Sequence, residues 1–232
     1  MNQHWTFNNK HEGERCFILG NSPSLKDEPL HLLKGEKVFC VNRGYKALDF
    51  GLDHYDYYVI SDPGSYEAYH REIQQNSHGP RFYHDGILQL KEYLEGPQEE
   101  CVPMPNIRDE RHPRKHSIRY HFPKSYEEGW GFTRTVVLDF SILAYFMGFK
   151  QIYLLGADFT TVTGENTHFY GTGFREQQHA RWEEPAQRFD DTVALFYWKF
   201  ISSGVKWKNL SRQFSHRVWM QTDRLENVLG EP

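Results

Sequence analysis

The sequence predicts an α/β fold: a Rossmann-like, open and mostly parallel sheet with helices on both faces. Short apolar runs typical of buried strands alternate with longer stretches typical of helices along most of the chain. Parallel strands need crossover connections, which helices usually provide, so this alternation favours a parallel sheet covered on both sides. The apolar runs end in small or polar residues, and open α/β sheets bind their ligands beyond such strand ends.

Each predicted strand is a short apolar run bounded by turn-forming residues. Runs of this length suit strands that are buried on both faces of a sheet. The clearest are Arg15–Leu19, Lys37–Val41, Tyr57–Ser61, Gln151–Leu155 and Val205–Leu210, and shorter strands are predicted at Arg81–Tyr83 and Glu100–Val102.

Three helices are predicted between these strands. Tyr66–Ile73 follows an Asp-Pro-Gly turn, and Thr135–Met147 is strongly apolar and stops at a glycine. Glu183–Ile201 is the longest helical stretch. The tail from Arg212 either docks on the domain or frays, and the sequence leaves this choice open.

The chain has 232 residues, a length that suits a single domain over 1–232. A polar segment rich in His and Arg, Asn106–His121, interrupts the alternation. Long irregular segments are often functional, so we predict a lid-like insertion at about 104–126. A solvated surface excursion is the alternative interpretation.

Composition excludes several classes of function. The net charge is −4 and no basic block occurs, which argues against nucleic-acid binding. Three cysteines do not suit a disulfide framework and favour a reducing, cytoplasmic location. The first residues are polar, and no apolar run reaches the length of a spanning helix, so we expect membrane contact to be peripheral at most. The oligomeric state stays open.

The turn Gly20-Asn21-Ser22-Pro23-Ser24 follows the first strand. Ser22 or Ser24 suits the cap of a short helix, and Pro23 suits its first turn. Glycine permits close backbone approach, and a helix start presents free N–H groups to an anion, so the turn is a candidate phosphate loop. It matches neither dinucleotide nor P-loop motifs, and an ordinary capped turn is the alternative.

The segment Leu155–Gly173 carries the second candidate site. Asp158 leaves the end of a buried strand, and His168 follows in a glycine-containing loop. A histidine so placed can accept a proton from a hydroxyl near neutral pH. The alternative is a surface histidine in a loop. No HExxH motif or Cys/His cluster occurs, which argues against a structural zinc site.

Together these motifs resemble a known family. The turn GNSPSL, then FCVN, a strand ending in Asp-Pro, and an apolar helix leading to YLLGADF and NTHFYG are similar to bacterial sialyltransferases of glycosyltransferase family 42. Wider relatives are the flagellin nonulosonate transferases and the archaeal-type 6-hydroxymethylpterin diphosphokinases. The likeness covers roughly 15–211.

The resemblance implies an inverting glycosyltransferase. It would move a sialic acid or related nonulosonate from a CMP-sugar donor to a glycan hydroxyl, without a cofactor. His168 would be the general base, and Asn21 and Asn42 would contact the nucleotide. The full set of donor-binding residues that it implies is Gly20, Asn21, Ser22, Ser24, Asn42, Asp62, Thr135, Gly156, Asp158 and Thr160.

Two departures from the family pattern leave alternatives open. The family places tyrosines soon after the GxDF motif to stabilise the leaving phosphate, whereas here Thr160 stands at the first such position. Asp62-Pro63 replaces an Asn-Pro and is closer to the wider relatives. One alternative is therefore an ATP-dependent pterin diphosphokinase with Mg²⁺ held by Asp62 and Asp158. Another is a nucleotide-binding protein without activity.

Overall fold

The computed structural model describes residues 5–90, 101–105, 122–130, 133, 135–159, 168–171, 186–213 and 220–230. These residues form one sheet of eight strands. The strands are β1 (Arg15–Leu19), β2 (Lys37–Val41), β3 (Tyr57–Ile60), β4 (Arg81–His84), β5 (Cys101–Met104), β6 (Gln151–Leu155), β7 (Lys206–Asn209) and β8 (Gln221–Thr222).

The strand order is β5-β4-β3-β2-β1-β6-β7-β8, and every pairing is parallel. The chain winds outward from β1 in one direction to β5, then crosses back to β6 on the other side of β1. The order therefore reverses between β1 and β6, where open α/β sheets form their ligand crevice. We call the edge formed by the carboxyl ends of the strands the strand-end edge.

Helices cover both faces of the sheet. The first face carries α3 (Val136–Phe146) and α4 (Ala186–Ser202). The second face carries α1 (Pro63–Asn76), α2 (Asp85–Leu88), α5 (Leu225–Gly230) and the 3₁₀ segments Pro23–Asp27, Leu30–Leu33 and Gly44–Phe50. The predicted α/β fold with an open parallel sheet is confirmed.

Alternation along the strands explains why each strand sequence is apolar throughout. In β1, Cys16 and Ile18 enter the core of the first face, whereas Phe17 and Leu19 enter the core of the second face. Successive side chains point to opposite sides of a strand, so a strand that is covered on both sides needs apolar residues at every position.

The helix boundaries follow local chemistry. Helix α1 begins earlier than predicted because the Asp62 carboxylate accepts hydrogen bonds from Gly64 N–H and Ser65 N–H, both at 3.1 Å, and Pro63 occupies the first turn. Helix α3 is apolar on nearly all sides because it lies fully within the core of the first face.

Two predictions about irregular regions have different outcomes. The tail docks: β8 pairs with β7, and Leu225 and Val228 of α5 are buried on the second face. Most of the predicted lid at about 104–126 lies outside the described residues, as does Thr160. Within the described ranges, none of the helices combines the length and apolar character that crossing a bilayer requires.

Candidate active site at the strand-end edge

The loops after β1 and β6 are pressed together at the switch point. Gly20 N–H donates to the Leu155 carbonyl at 2.7 Å, and Ser22 N–H donates to the Gly156 carbonyl at 2.9 Å. A Cβ at Gly20 would lie 2.2 Å from the Gly156 carbonyl oxygen, so only glycine fits there. The glycine of the GNSPS turn therefore allows the loop after β1 to approach the loop after β6 closely.

Asp158 caps the 3₁₀ segment that follows β1. Its carboxylate accepts hydrogen bonds from Ser24 N–H at 3.1 Å and from the Ser24 hydroxyl, and Asp158 N–H donates to Ser22 Oγ at 3.1 Å. Asp158 is 1% exposed, and burial raises the pKa of its carboxyl. Ser22, the N-cap residue of this segment, makes no side-chain capping bond. The cap that the sequence predicts from Ser22 or Ser24 is therefore supplied by the Asp158 carboxylate, from a distant loop.

Two residues after β7 fix the same loop from the other side. Asn209 Nδ2 donates to the Ala157 carbonyl at 2.8 Å, and Ala157 N–H donates to Ser211 Oγ at 2.8 Å. Asn209 Oδ1 accepts from Ser211 N–H at 2.9 Å. We call this set the loop lock; its members are Ser22, Ser24, Ala157, Asp158, Asn209 and Ser211.

Asn21 has a different environment. It is 8% exposed, and its Oδ1 atom is buried without a hydrogen-bond partner in the described part of the chain. Its backbone carbonyl accepts from Phe169 N–H at 2.9 Å, and its Oδ1 would lie 3.5 Å from a Cβ at Gly44. Asn21 thus lies between the segment around His168 and the start of the 3₁₀ segment after β2.

Asn42 has a second unpaired amide oxygen. Its N–H donates to the Val59 carbonyl at 3.0 Å, and its backbone is left-handed at φ 49°. Asn42 Oδ1 is buried, and no described residue donates a hydrogen bond to it. Buried polar atoms are nearly always paired, so the unpaired amide oxygens of Asn21 and Asn42 are candidates for contact with a ligand. We call Asn21 and Asn42 the open amides.

His168 lies at the beginning of a short described segment, 168–171, and is half-buried. Its ring stacks on Tyr170 with centroids 5.2 Å apart and planes 12° apart. Phe169, between them, is buried in the core of the second face and meets Phe50 edge-on at 5.6 Å. Because Phe169 N–H donates to the Asn21 carbonyl, the structure brings His168 next to the loop after β1.

The remaining predicted donor residues have structural roles or lie outside the described ranges. Asp62 follows β3 at the same edge, and its carboxylate caps α1. Thr135 is the N-cap residue of α3 and makes no side-chain capping bond; its carbonyl accepts from Thr133 Oγ1 at 2.9 Å. Gly20, Asn42, Asp62 and Asp158 follow β1, β2, β3 and β6, so they share one edge as predicted.

Sequence reasoning missed Asp139, a charged residue within the apolar helix α3. It is 8% exposed, and Oδ1 accepts from Trp130 Nε1 at 2.9 Å and from Thr133 Oγ1 at 2.7 Å. Burial raises the pKa of the Asp139 carboxyl to about 6, although hydrogen bonds from Thr133, Ser61 and Trp130 lower it. A lone carboxylate inside a fully apolar run is the sequence signal that could have identified it.

The described ranges contain no cluster of side chains suited to bind a metal ion. No group of three His, Cys, Asp or Glu side chains there could hold a metal ion. The two carboxylates proposed for Mg²⁺, Asp62 and Asp158, each cap a different helical segment through hydrogen bonds from N–H and hydroxyl groups. Both carboxylates are therefore engaged in hydrogen bonds within the protein in this structure.

The fold and site define a class: an open parallel α/β sheet whose strand order reverses between β1 and β6, with a histidine segment beside the loop after β1. Among solved structures of this class, the chain is similar to the sialyltransferase CstII from Campylobacter jejuni in complex with CMP, a substrate analogue. The TM-score is 0.54 and the identity 14%, over 91% of this chain and 85% of CstII.

Two further structures share the fold. The α-2,3-sialyltransferase Cst-I from Campylobacter jejuni has a TM-score of 0.54 and 15% identity over 90% of this chain and 80% of its own. A MAf glycosyltransferase from Magnetospirillum magneticum has a TM-score of 0.54 and 15% identity, over 95% of this chain and 35% of its own. No protein-family model and no curated protein sequence matches the chain. The predicted resemblance to family 42 sialyltransferases is confirmed as a likeness of fold.

Proposed function

We propose that the protein is an inverting glycosyltransferase that moves a sialic acid or related nonulosonate from a CMP-sugar donor to a glycan hydroxyl. The observation that carries the proposal is Asn21, which joins the two halves of the site. Its carbonyl is bonded to the His168 segment while its amide oxygen stays buried and unpaired. A ligand that satisfies this oxygen lies close to the histidine segment.

The open amides favour a ligand with hydrogen-bond donors. Asn21 Oδ1 and Asn42 Oδ1 can only accept, so they suit the amino group of a cytosine or the hydroxyls of a ribose. The similar structures include sialyltransferases in complex with CMP, and one of these also holds a trisaccharide acceptor. This combination supports a nucleotide donor and a glycan acceptor for this chain.

The phosphate of the leaving CMP needs positioned donors. The N–H groups of Ser22 and Ser24 are already bonded within the protein, so they are not available as an anion cradle. Ser22 Oγ accepts a hydrogen bond from Asp158 N–H, which leaves the hydroxyl proton of Ser22 to be donated to a phosphate oxygen. Stabilising charge that develops on the leaving group lowers the barrier.

His168 acts as the general base in this proposal. It removes the proton of the acceptor hydroxyl as that oxygen attacks the anomeric carbon from the face opposite CMP, which inverts the configuration. The bond to the acceptor oxygen forms as the bond to the CMP phosphate oxygen breaks. General-base help of this kind typically contributes about 10²–10⁴-fold in rate.

A combined binding and turnover experiment tests the proposal. Calorimetry with CMP should show binding that Asn21→Ala weakens. Incubation with CMP-sialic acid and a panel of galactose-terminated oligosaccharides should release CMP and give a product whose anomeric configuration, read by NMR, is inverted. Turnover should persist in EDTA, because the proposal assigns the base to His168 and the phosphate contact to the Ser22 hydroxyl, and neither role uses a metal.

Two results would overturn the proposal. Turnover of ATP and 6-hydroxymethylpterin that EDTA abolishes would identify a diphosphokinase. CMP binding with no hydrolysis or transfer of any CMP-sugar would identify a binding protein without activity.

A further inference from the structure

The guanidinium of Arg43 is packed against two tyrosine rings beside the site. Its Cζ lies 4.4 Å from the centroid of the Tyr69 ring, on α1, and 4.9 Å from the centroid of the Tyr170 ring. Arginine stacks on aromatic rings through its flat, delocalised cation, which a lysine ammonium cannot imitate. Arg43 follows Asn42 directly, so it extends from the same loop as one open amide.

Glu72 fixes the orientation of this guanidinium. Arg43 Nη2 donates to both Glu72 oxygens, at 2.8 and 3.1 Å, and Arg43 Nε donates to Oε1 at 3.3 Å. Lys46 Nζ also contacts Glu72 at 2.8 Å. Burial raises the pKa of Glu72, but hydrogen bonds from Lys46 and Arg43 outweigh this effect and lower the pKa, so the carboxylate stays ionised. We call Glu72, Arg43, Tyr69 and Tyr170 the Arg43 bridge.

The Arg43 bridge reaches His168 through Tyr170. The His168 and Tyr170 rings are stacked nearly parallel, with planes 12° apart, and Arg43 contacts the same Tyr170 ring. The described attachments of the histidine segment include the Phe169 N–H to Asn21 hydrogen bond, the packing of the Phe169 ring in the core of the second face, and the Arg43 bridge to α1. The backbone bond fixes where the segment lies, whereas the stack fixes how the imidazole is turned.

We propose that Arg43 is a positioning residue that orients the His168 imidazole through Tyr170. This inference rests on the proposed function, since orientation of His168 matters for turnover only if His168 is the base. Proton abstraction requires the base within hydrogen-bond reach of the acceptor hydroxyl, and small misplacements of a reacting group lower rates steeply. A rigid guanidinium clamped by a carboxylate is well suited to hold a ring in one orientation.

The test compares Arg43→Lys with Arg15→Lys. Arg15 forms an equivalent two-nitrogen pair with Glu36, at 2.7 and 3.0 Å, but at the opposite end of β1. Both variants keep the charge and lose a planar fork. Arg43→Lys should lower kcat by about tenfold or more while the KM for the donor changes less than about twofold. Arg15→Lys should leave both constants unchanged.

A double-mutant cycle tests whether the effect passes through Tyr170. Tyr170→Leu should lower kcat as Arg43→Lys does, and the double variant should be no slower than Tyr170→Leu alone. Tyr170→Phe keeps the ring and should restore most of the lost turnover. Additive losses in the double variant, or an unchanged kcat in Arg43→Lys, would overturn the proposal.

A readout that needs no turnover separates this proposal from the proposed function. The ring resonances of His168 can be assigned in isotope-labelled protein by comparison with His168→Gln. Arg43→Lys should shift and broaden them, and Arg15→Lys should not. If the wild type transfers no sugar, the proposed function fails while this spectrum still decides the role of Arg43. Identical His168 ring resonances in Arg43→Lys and Arg15→Lys would overturn the proposed role of Arg43.

Discussion

The loop lock and the open amides contain the same kinds of residue at the same edge of the sheet, yet their polar atoms are used differently. In the loop lock, Asn209 has both amide atoms bonded to backbone groups, and the Asp158 carboxylate is bonded to Ser24. In the open amides, Asn21 Oδ1 and Asn42 Oδ1 are buried without a partner among the described residues. The difference separates polar groups that hold the edge together from polar groups that we propose contact a ligand.

This comparison also changes the interpretation of the GNSPS turn. A glycine, a proline and two serines after a strand are typical of a phosphate loop, but here the N–H groups of both serines are bonded within the protein. The turn therefore holds two loops together, and in the proposed function only Asn21 and the Ser22 hydroxyl are left to contact the ligand.

The largest effect is expected from His168→Ala, which removes the proposed base beside the open amides. Turnover should fall by about 10²-fold or more, while CMP affinity should barely change because the imidazole serves the acceptor. Steady-state kinetics and calorimetry measure the two quantities. His31→Ala, at an exposed histidine, is the control. Wild-type turnover in His168→Ala would mean that the segment is only a surface loop.

Asn209→Ala should break the loop lock. Asn209 is fully buried, and the change removes the partners of the Ala157 carbonyl and of Ser211 N–H. Leaving two buried backbone groups unpaired should lower the free energy of unfolding by about 3 kcal/mol. Urea unfolding measures this, with Asn227→Ala, at an exposed asparagine, as the control. A stability loss no greater than the control's would show that the lock does not stabilise the fold.

Asp139→Asn should stabilise the protein at neutral pH. The folded-state pKa of Asp139 is about 6 against 3.8 for the free side chain, so the stability that this carboxyl contributes is present below pH 3.8 and lost as the pH rises through about 6. The shift of about two pKa units corresponds to at most about 3 kcal/mol, and we expect about 2 kcal/mol because asparagine keeps the bonds from Trp130 and Thr133.

The critical measurement is the pH dependence of the free energy of unfolding that Asp139→Asn gains over the wild type. The difference in unfolding free energy between Asp139→Asn and wild type should grow from pH 4 to pH 7 and then level off. Asp53→Asn, at an exposed aspartate, should show no such growth. A difference that is constant with pH would contradict the buried, ionising carboxyl.

Asn42→Gly should weaken CMP binding by about tenfold, or about 1.4 kcal/mol, with little loss of stability. Glycine accepts the left-handed backbone at this position, so the change removes the amide without adding strain. Asn9→Gly is a matched control, since Asn9 has a left-handed backbone too, at φ 52°, but is exposed, and its N–H donates to the Phe146 carbonyl at the end of α3. Equal CMP affinity in both variants would remove Asn42 from the nucleotide site.

Most of the fold could be predicted from the sequence because strands buried on both faces have an unmistakable pattern. Arg15–Leu19, Lys37–Val41 and Gln151–Leu155 match the structure residue for residue. The edge elements were harder. The tail strand at Gln221–Thr222 is two exposed residues long, and the 3₁₀ segments have no periodic apolar pattern. Such elements are specified by what they pack against.

The candidate site was only partly predictable. The positions of Asn21, Asn42, Asp158 and His168 at one edge follow from strand ends and motifs. The role of Asp158 as a cap for the GNSPS turn could not be predicted from the sequence, because Ser24 and Asp158 lie in loops that are far apart in sequence. Arg43 was equally hidden: its partners Glu72 and Tyr170 come from a helix and a loop that no local pattern relates to it.

The sequence by itself determined the α/β class, the core strands and the edge at which polar residues collect, because these depend on the local alternation of apolar and polar side chains. Only the tertiary structure decided which of those polar residues are bonded to each other and which remain unpaired. Hydrogen bonds between distant loops form only when the tertiary fold brings those loops together. The local sequence around each loop does not specify which other loop it will contact.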